Sequence, residues 1–357
     1  MLSKHHYALE LAKLGNDVWF LLPPWADKQL ALDYRHKHIH FIFDTYSVRG
    51  ARFIPSTLRK FIYRRIVNRM QSDHKVKFTL VWSFDNSRFF DLDCFNDAFC
   101  IHHMMDFHTD YQIERASNSA DLCLGVTSGI VQKMKPYNPH SYFIQHGYAP
   151  IALQPTALPL VEQKIKALYT GNLLMPYINW PWLHALVSAH PNVHFFMAGS
   201  YGKSNLNGHN NEGALNEVKR IAENANVTLL GECLPGQLQS FFTQVDVLFF
   251  AYRSQEFPEI LANSHKIMAY LASGKPIVCH SILEYVQQND LLHMAKSLDD
   301  YVATFGHVVN NLSHYGAETH VQRRVQWAMN NTYADQIERV SALVLKVRND
   351  QFSAHES

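Results

Sequence analysis

Short runs of β-branched and aromatic residues alternate with amphipathic stretches along this chain. In the first half, such runs predict β-strands at residues 18–22, 38–43, 78–84, 99–102, 122–126 and 142–145. Stretches with hydrophobic residues at helical spacing lie between most of them. Alternation of this kind is typical of βα units, which build a mainly parallel sheet with helices on both faces. The first half is therefore predicted to be a Rossmann-like α/β domain.

The same alternation begins again after residues 149–160, a stretch rich in proline and leucine that suits a connection between domains. Strands are predicted at residues 167–170, 194–198, 228–230, 247–252 and 276–280, with helices near residues 182–189, 212–224, 236–244 and 264–273. This pattern indicates a second doubly wound sheet. We therefore expect one domain at residues 1–152 and another at residues 153–332.

Helical patterns mark both ends of the sequence. The first predicted element is a helix at residues 5–14, whereas a Rossmann half normally begins with a central strand. We therefore expect the first strand of the N-terminal domain to be missing. At the other end, residues 318–346 carry a long helical pattern that predicts one broken helix. Its last part, residues 333–357, is expected to pack back on the first domain.

The composition narrows the class of protein. A chain of 357 residues with 47% hydrophobic and 18% charged residues is typical of a folded protein with two cores. Its formal net charge of +1 produces no overall electrostatic field that would attract nucleic acid, so nucleic acid is not expected as a partner. Five scattered cysteines without a CxxC pair argue against disulfides and zinc knuckles. No long uncharged apolar run occurs, so a cytoplasmic location is expected, with the inner face of the membrane as an alternative.

A series of motifs in the second half follows the predicted strands and helices in order. They are Tyr169-Thr-Gly-Asn172, Phe196-Met-Ala-Gly199, residues 226–231, residues 245–252 and the run from Lys266 to Pro276. Together they resemble the donor domain of GT-B glycosyltransferases of the group-1, family 4-like type. The first half resembles the acceptor domain of the same group more loosely, through residues 5–15, 81–85, 120–122 and 126–128 and through Gln145-His-Gly147.

This resemblance implies two Rossmann-like domains that face a central cleft. It also implies transfer of a sugar, such as a hexose, from a nucleotide diphosphate sugar to a glycan or lipid-linked acceptor, in cell-envelope or exopolysaccharide synthesis. No metal and no other cofactor is expected. A sugar-nucleotide epimerase or phosphorylase is the alternative enzyme. A catalytically impaired GT-B module that binds nucleotide or glycan is the alternative of a different class.

The impaired module is suggested by Ala269. In the family this position usually holds a glutamate, whose carboxylate accepts hydrogen bonds from the ribose hydroxyls of the donor. Alanine cannot accept them, and one lost bond of this kind costs roughly 1.5 to 3 kcal/mol. Glu256, Glu259 and Asn263 are the candidates for a replacement acceptor.

A diphosphate binds well where backbone N–H groups meet the positive end of a helix dipole. Asn263 and Ser264 are natural N-cap residues, and Lys266 in a first turn is best explained by a bound anion. Gly171 would let backbone N–H groups approach phosphate. The predicted donor-binding residues are Gly171, Asn172, Tyr252, Arg253, Glu256, Asn263, Ser264, His265 and Lys266. An ordinary turn and solvated loop remain the alternative interpretation of these residues.

Sugar transfer also requires a base for the acceptor hydroxyl. Polar residues follow the predicted strand at residues 99–102, and the carboxyl ends of strands are where open α/β sheets bind ligands. Asp106 is the first candidate for the base and His103 is the second. His146 and Gly147 follow the last strand of the domain and are expected near the cleft, although Gly147 would equally suit a turn with positive φ. A zinc site at Asp106 with His102, His103 and His108 is a less favoured alternative.

Residues 57–70 form a basic amphipathic pattern without an acidic residue. Arg59, Lys60, Arg64 and Arg65 are interleaved with apolar residues at helical spacing, among them Leu58 and Phe61. Such a helix suits peripheral contact with anionic lipid, to which each basic residue contributes about 1 kcal/mol. A helix packed on the core with a solvated basic face is the alternative.

Overall fold

The computed structural model describes residues 3–23, 36–48, 50, 53–84, 91–106, 109–202, 212–257, 263–264, 266–288 and 290–356. The chain divides into two compact units, which we call unit 1 and unit 2. Unit 1 comprises Met1–Gly147 together with Tyr333–Ser357, and unit 2 comprises Tyr148–Thr332. The chain therefore passes from one unit to the other after Gly147 and again after Thr332.

Unit 1 alternates strands and helices, as βα units require. Its elements are α1 (Ser3–Lys13), β1 (Val18–Leu22), β2 (Ile39–Phe43), α2 (Ser56–His74), β3 (Leu80–Ser83), β4 (Phe99–Met104), α3 (Asp110–Ser119), β5 (Leu122–Gly125), α4 (Ser128–Met134), β6 (Ser141–Phe143) and α12 (Tyr333–Glu356). β1 pairs with β2 in a parallel ribbon. The other strands form a parallel sheet in the order β3-β4-β5-β6.

Both faces of this four-stranded sheet are covered, which explains why β4 is buried along its whole length. On one face Ile101 and Leu124 pack against Val340 and Val347 of α12. On the other face Met104 joins the apolar side chains of α3 and α4. The last helix of the chain is therefore part of the core of unit 1.

Unit 2 contains the second series of βα units. Its elements are β7 (Ile165–Thr170), α5 (Trp180–Ala189), β8 (Val193–Ala198), α6 (Glu212–Ala222), β9 (Val227–Gly231), α7 (Pro235–Gln244), β10 (Val247–Phe250), α8 (Lys266–Ala272), β11 (Ile277–His280), β12 (His293–Ala295), α9 (Leu298–Asn310), α10 (Leu312–Tyr315) and α11 (Glu318–Met329). All six strands are parallel, in the order β9-β8-β7-β10-β11-β12. The order reverses between β7 and β10, so their carboxyl ends form a topological switch point, where such sheets bind ligands.

The long helical pattern at the end of the sequence is two helices, because α11 ends at Met329 and α12 begins at Tyr333. α11 packs on α8 in unit 2, whereas α12 packs on α1 in unit 1. Within the described ranges, no helix is long and apolar enough to cross a membrane.

Candidate functional site

The switch point of unit 2 is lined by two glycines. Gly171 follows β7 with a φ of 139°, a conformation that side-chain-bearing residues rarely adopt. Gly199 follows β8, and a Cβ atom there would overlap the Gly171 carbonyl oxygen. The Gly171 N–H donates to the Ala198 carbonyl at 2.9 Å. This N–H is therefore occupied by the backbone, so the role of Gly171 is to leave space.

Lys266 occupies the space above Gly171. Its Nζ donates to the Thr170 carbonyl at 2.7 Å and to the hydroxyl of Tyr252, which follows β10. The same ammonium lies 4.6 Å from the centroid of the Tyr169 ring. A Cβ atom on Gly171 would come within 2.9 Å of Nζ. The first residue of α8 thus places a cation where β7 and β10 end.

The charge of this ammonium is not balanced by an acid among the described residues. Its neighbours are a carbonyl oxygen and aromatic faces, which supply dipoles and a ring quadrupole but no negative charge. A partly buried cation in such surroundings is stabilised by an anionic ligand more than a fully solvated one would be. The arrangement can therefore bind an anion at the carboxyl edge of the sheet.

Buried polar contacts hold this cation in place. The Thr170 N–H donates to the hydroxyl of Tyr270 at 2.8 Å, and Tyr270 lies one helical turn after Lys266 on the same face of α8. Burial raises the pKa of Tyr270 well above its usual range, so the hydroxyl stays protonated. Nδ1 of His280 accepts from the Tyr252 N–H at 3.1 Å. Burial, and then the charge of Lys266, lower the pKa of His280 to about 3, so the imidazole is neutral.

Other predicted donor-binding residues contact their own loops. The side-chain oxygen of Asn172 accepts from the Leu174 N–H at 2.9 Å and closes a turn. Arg253 donates to Glu256 at 2.9 Å and to the Pro176 carbonyl at 2.6 Å. Glu256 is exposed and Arg253 is partly exposed, so their ion pair is a weak surface contact.

The remaining predicted donor residues lie at the start of α8. Asn263 is buried, and the Ser264 carbonyl accepts from the Ile267 N–H at 3.0 Å as the helix begins. Ala269 is partly buried against the core of unit 2. His265 and Glu259 fall outside the residues that the structure describes.

In unit 1, His103 is fully buried on β4. Its Nδ1 accepts from the indole N–H of Trp82 at 3.3 Å, and the rings of Tyr7 and Phe84 lie against it. Burial, and then the neighbouring His146 and His102, lower the pKa of His103 to about 3. The ring is therefore neutral and only weakly basic.

Asp106, by contrast, is exposed two residues beyond the end of β4. Among the described residues it has neither a hydrogen bond nor an ion pair, so its carboxylate is open to solvent. His108 lies outside the described residues. Where the structure describes the chain, no group of three or more histidine, cysteine or acidic side chains is placed to hold a metal ion.

The two residues expected near the cleft lie inside unit 1. His146 is buried and close enough to His103 to affect its pKa. Gly147 does not have a positive φ, so that part of the sequence interpretation is wrong. A Cβ atom there would instead come within 2.5 Å of the Tyr333 ring. Glycine is required at this position so that the first residue of α12 can pack.

The basic pattern at residues 57–70 does form a helix, α2, but one of its predicted lipid-facing residues points inward. Arg59 is buried and donates from Nε to Asp91 at 2.6 Å. Its place on the buried face, one turn before Tyr63, excludes contact with a membrane, so that prediction for Arg59 is wrong. Lys60 pairs with Asp93 at 2.6 Å, whereas Arg64 and Arg65 are exposed.

Sequence comparison does not identify a relative of this chain. No protein family model matches it. No curated protein matches it significantly either.

Solved structures do match nearly the whole length of the chain. HepE from Anabaena in complex with UDP and glucose has 12% identity and a TM-score of 0.65, covering 96% of this chain and 95% of HepE. Sucrose-phosphate synthase from Thermosynechococcus elongatus has 12% identity and a TM-score of 0.67, with 98% and 92% covered. A glycosyltransferase from Rickettsia africae has 10% identity and a TM-score of 0.70, with 97% and 94% covered. This chain has the GT-B glycosyltransferase fold.

Proposed function

We propose that this chain is a glycosyltransferase that moves a sugar from a nucleotide diphosphate sugar to an acceptor hydroxyl. The observation that carries this proposal is the ammonium of Lys266 at the switch point of unit 2, with no acid beside it among the described residues. A nucleotide diphosphate supplies the missing negative charge. HepE, a protein of the same fold, binds UDP and glucose, which supports a nucleotide sugar as the ligand.

Lys266 has the geometry to act on the leaving group. When the bond between the sugar and the diphosphate breaks, negative charge develops on the phosphate oxygens, and a cation fixed beforehand stabilises that charge without reorganisation. Nζ can exchange its hydrogen bond to the Tyr252 hydroxyl for one to a phosphate oxygen while it keeps its hydrogen bond to the Thr170 carbonyl. We assign to Lys266 the role that a metal ion performs in other transferases.

Asp106 is proposed as the base that receives the proton of the acceptor hydroxyl. Its carboxylate is exposed just beyond β4, at the ligand-binding edge of the unit 1 sheet. His103 was the other candidate from the sequence. Because its pKa is about 3 and it is buried among aromatic rings, we propose that it supports this edge rather than taking the proton.

The acceptor is proposed to be a glycan or a lipid-linked sugar used in cell-envelope or exopolysaccharide synthesis, in the cytoplasm. The resemblance of the motifs to group-1 transferases supports this class of acceptor. Peripheral contact with the inner face of a membrane belongs to the same proposal. The exposed Arg64 and Arg65 support it.

Calorimetric titration with UDP, GDP and dTDP tests the donor site and identifies the preferred base. The Lys266→Met variant is expected to bind the preferred nucleotide at least about tenfold more weakly, because it loses a charge-assisted bond to phosphate. The matched control is Lys164→Met, since Lys164 is exposed ahead of the amino end of β7, away from the switch point. Equal affinity of the Lys266→Met variant and the wild type would refute the assignment of the site.

A binding module without activity is the second candidate, and Ala269 is the residue that favours it. This residue stands where related transferases carry a glutamate for the ribose. Incubation with a panel of UDP, GDP and dTDP sugars separates the two functions. Hydrolysis or transfer of a donor supports the transferase. Thermal stabilisation by a nucleotide without any turnover supports the binding module.

A further inference from the structure

The face of α2 that points to solvent is unusual for a surface helix. The buried residues of α2 are Arg59, Tyr63, Val67 and Met70, which recur at helical spacing and therefore define its inner face. Leu58 and Phe61 lie outside that face, and they are 51% and 52% exposed. The helix thus turns large apolar side chains outward although it has a core to pack against.

A buried ionic network fixes the helix in this rotation. Inside unit 1, the Asp91 carboxylate accepts hydrogen bonds from Nε of Arg59 at 2.6 Å and from the guanidinium of Arg115 at 2.7 Å. Arg59 also donates to the Ile54 carbonyl at 3.1 Å. Rotating α2 so that Leu58 and Phe61 pack inward would expose Asp91 and Arg59 or leave them unpaired while buried, which is costly. The outward placement of the two apolar residues is therefore built into the fold.

Basic residues continue the exposed stripe. Leu58, Phe61 and Arg65 are spaced by three and four residues, so they follow one line along the helix. The Arg65 guanidinium lies 4.4 Å from the centroid of the Phe61 ring. Arg64 is exposed beside it, and neither arginine has an ion pair with an acid in the part of unit 1 that the structure describes. We call Leu58, Phe61, Arg64 and Arg65 the outer stripe.

We propose that the outer stripe docks on the surface of an anionic lipid bilayer. Leu58 and Phe61 enter the boundary between headgroups and acyl chains, while Arg64 and Arg65 bind lipid phosphates. An interfacial helix combines these properties, with apolar side chains on one side of its contact and basic ones beside them. Asp91 and Asp93, which lie beside the first turns of α2, are paired with Arg59 and Lys60. Asp73, in the last turn of the helix, lies 3.6 Å from Arg69, so none of these three acids is paired with the arginines of the stripe.

A membrane suits the stripe better than a protein partner does. The stripe is a convex helix face rather than a groove, and its two arginines match a surface that carries phosphate everywhere. This inference rests on the membrane contact of the proposed function and extends it. It does not depend on the nucleotide site, because the residues proposed to bind the nucleotide lie in unit 2.

Flotation of the full chain with vesicles is the test. The wild type is expected to float with phosphatidylcholine that contains about one-third phosphatidylglycerol and to stay behind with phosphatidylcholine alone, since the attraction needs anionic lipid. High salt should weaken the binding at least about tenfold, because it screens exposed charges. Arg64→Glu with Arg65→Glu, and separately Leu58→Ser with Phe61→Ser, should each weaken it at least about tenfold.

Matched controls use exposed residues of unit 2. Leu160→Ser removes a fully exposed leucine, and Lys164→Glu reverses an exposed charge. Both should float like the wild type. All variants should keep the nucleotide affinity of the wild type, so a failure of the donor site is seen separately from a failure of lipid binding.

A second measurement reports insertion directly. Tryptophan in the Phe61→Trp variant should be quenched by brominated anionic lipid more than the tryptophans of the wild type are. The inference is overturned if the wild type floats with neither lipid mixture, or if both stripe variants float as the wild type does. The same holds if Phe61→Trp shows no additional quenching.

Discussion

Gly199 shows how closely the backbone approaches itself at the candidate donor site. A methyl group at this residue would collide with the Gly171 carbonyl, which is backbone and cannot move aside cheaply. Gly199→Ala is therefore expected to destabilise unit 2 by about 1–3 kcal/mol and to weaken nucleotide binding, because Gly171 lies under Lys266. Urea unfolding and calorimetric titration measure the two effects.

The matched control lies in the same loop. A Cβ atom on Gly202 would meet no atom within 4 Å, so Gly202→Ala should leave both stability and affinity unchanged. If the two variants behave alike, the close approach of the loops after β7 and β8 does not shape the site.

His280 makes the stability of unit 2 depend on pH. Its pKa is about 3 in the folded chain but close to 6.5 when unfolded, so the unfolded state binds the proton first as pH falls. His280 therefore has little effect on the stability of unit 2 above pH 6.5, and it lowers that stability progressively as the pH falls from 6.5 to 3. At pH 5 the loss from this residue is about 2 kcal/mol.

Urea unfolding at pH 7 and pH 5 measures this loss. In His280→Asn an amide oxygen can still accept from the Tyr252 N–H, but no proton is taken up, so the difference between the two pH values should shrink by about 2 kcal/mol. His38 is partly exposed beside Asp17, and His38→Asn serves as the comparison. An unchanged pH dependence in His280→Asn would contradict the assignment.

Among the helices, α11 determines the position of α8 through one buried arginine. Arg324 has no exposed surface, and its guanidinium donates to the Gly274 carbonyl at 2.7 and 2.9 Å and to the Tyr315 carbonyl. Gly274 ends the turn after α8 with a φ of 72°. Burial lowers the pKa of Arg324 to about 10, so it remains charged at neutral pH. The helix that carries Lys266 is thus anchored at its carboxyl end.

Arg324→Met should destabilise unit 2 by about 3 kcal/mol, because both carbonyls lose a charged donor in a buried place. The neighbouring Arg323 forms an exposed ion pair with Asp290, and Arg323→Met should cost less than about 1 kcal/mol. Thermal and urea unfolding of the two variants give the comparison. Equal losses would show that the buried bonds of Arg324 do not stabilise the helix.

The strands were predictable because each is a compact run of apolar and β-branched residues between turn signals. Each predicted strand is present with ends that differ by a residue or two. The short strand β12 was missed, because its sequence His-Met-Ala has no strand-like composition. The rotation of α2 was also missed. Its determinant, Asp91, lies 32 residues from Arg59, and periodicity along one helix cannot reveal a distant partner.

The candidate site was predictable only in part. Lys266, Gly171 and Tyr252 were selected from the sequence, and the structure brings them together. The contributions of Thr170 and Tyr270 were not seen, because a backbone carbonyl and a buried hydroxyl carry no sequence signal of their own. His280 was read only as the end of a strand. A histidine at the carboxyl end of a strand beside the switch point is the signal that was available.

For the molecule as a whole, the path of the chain makes unit 1 depend on a segment that follows unit 2 in the sequence. Val347 of α12 is fully buried against the strands of the unit 1 sheet, whereas Leu345 on the same helix is 63% exposed. A charge at Val347 would be buried without a partner, which costs several kcal/mol. Val347→Asp is therefore expected to unfold unit 1 at physiological temperature, and Leu345→Asp is expected to be close to neutral.

The residues assigned to the nucleotide belong to unit 2, so binding and core packing should separate in this variant. In differential scanning calorimetry, Val347→Asp should lose the transition of unit 1 and keep a second transition that the preferred nucleoside diphosphate still raises. Transfer of sugar should be lost, because Asp106, the proposed base, lies in the unit that unfolds. A variant that loses both transitions and all nucleotide binding would show instead that the two units fold as one cooperative body.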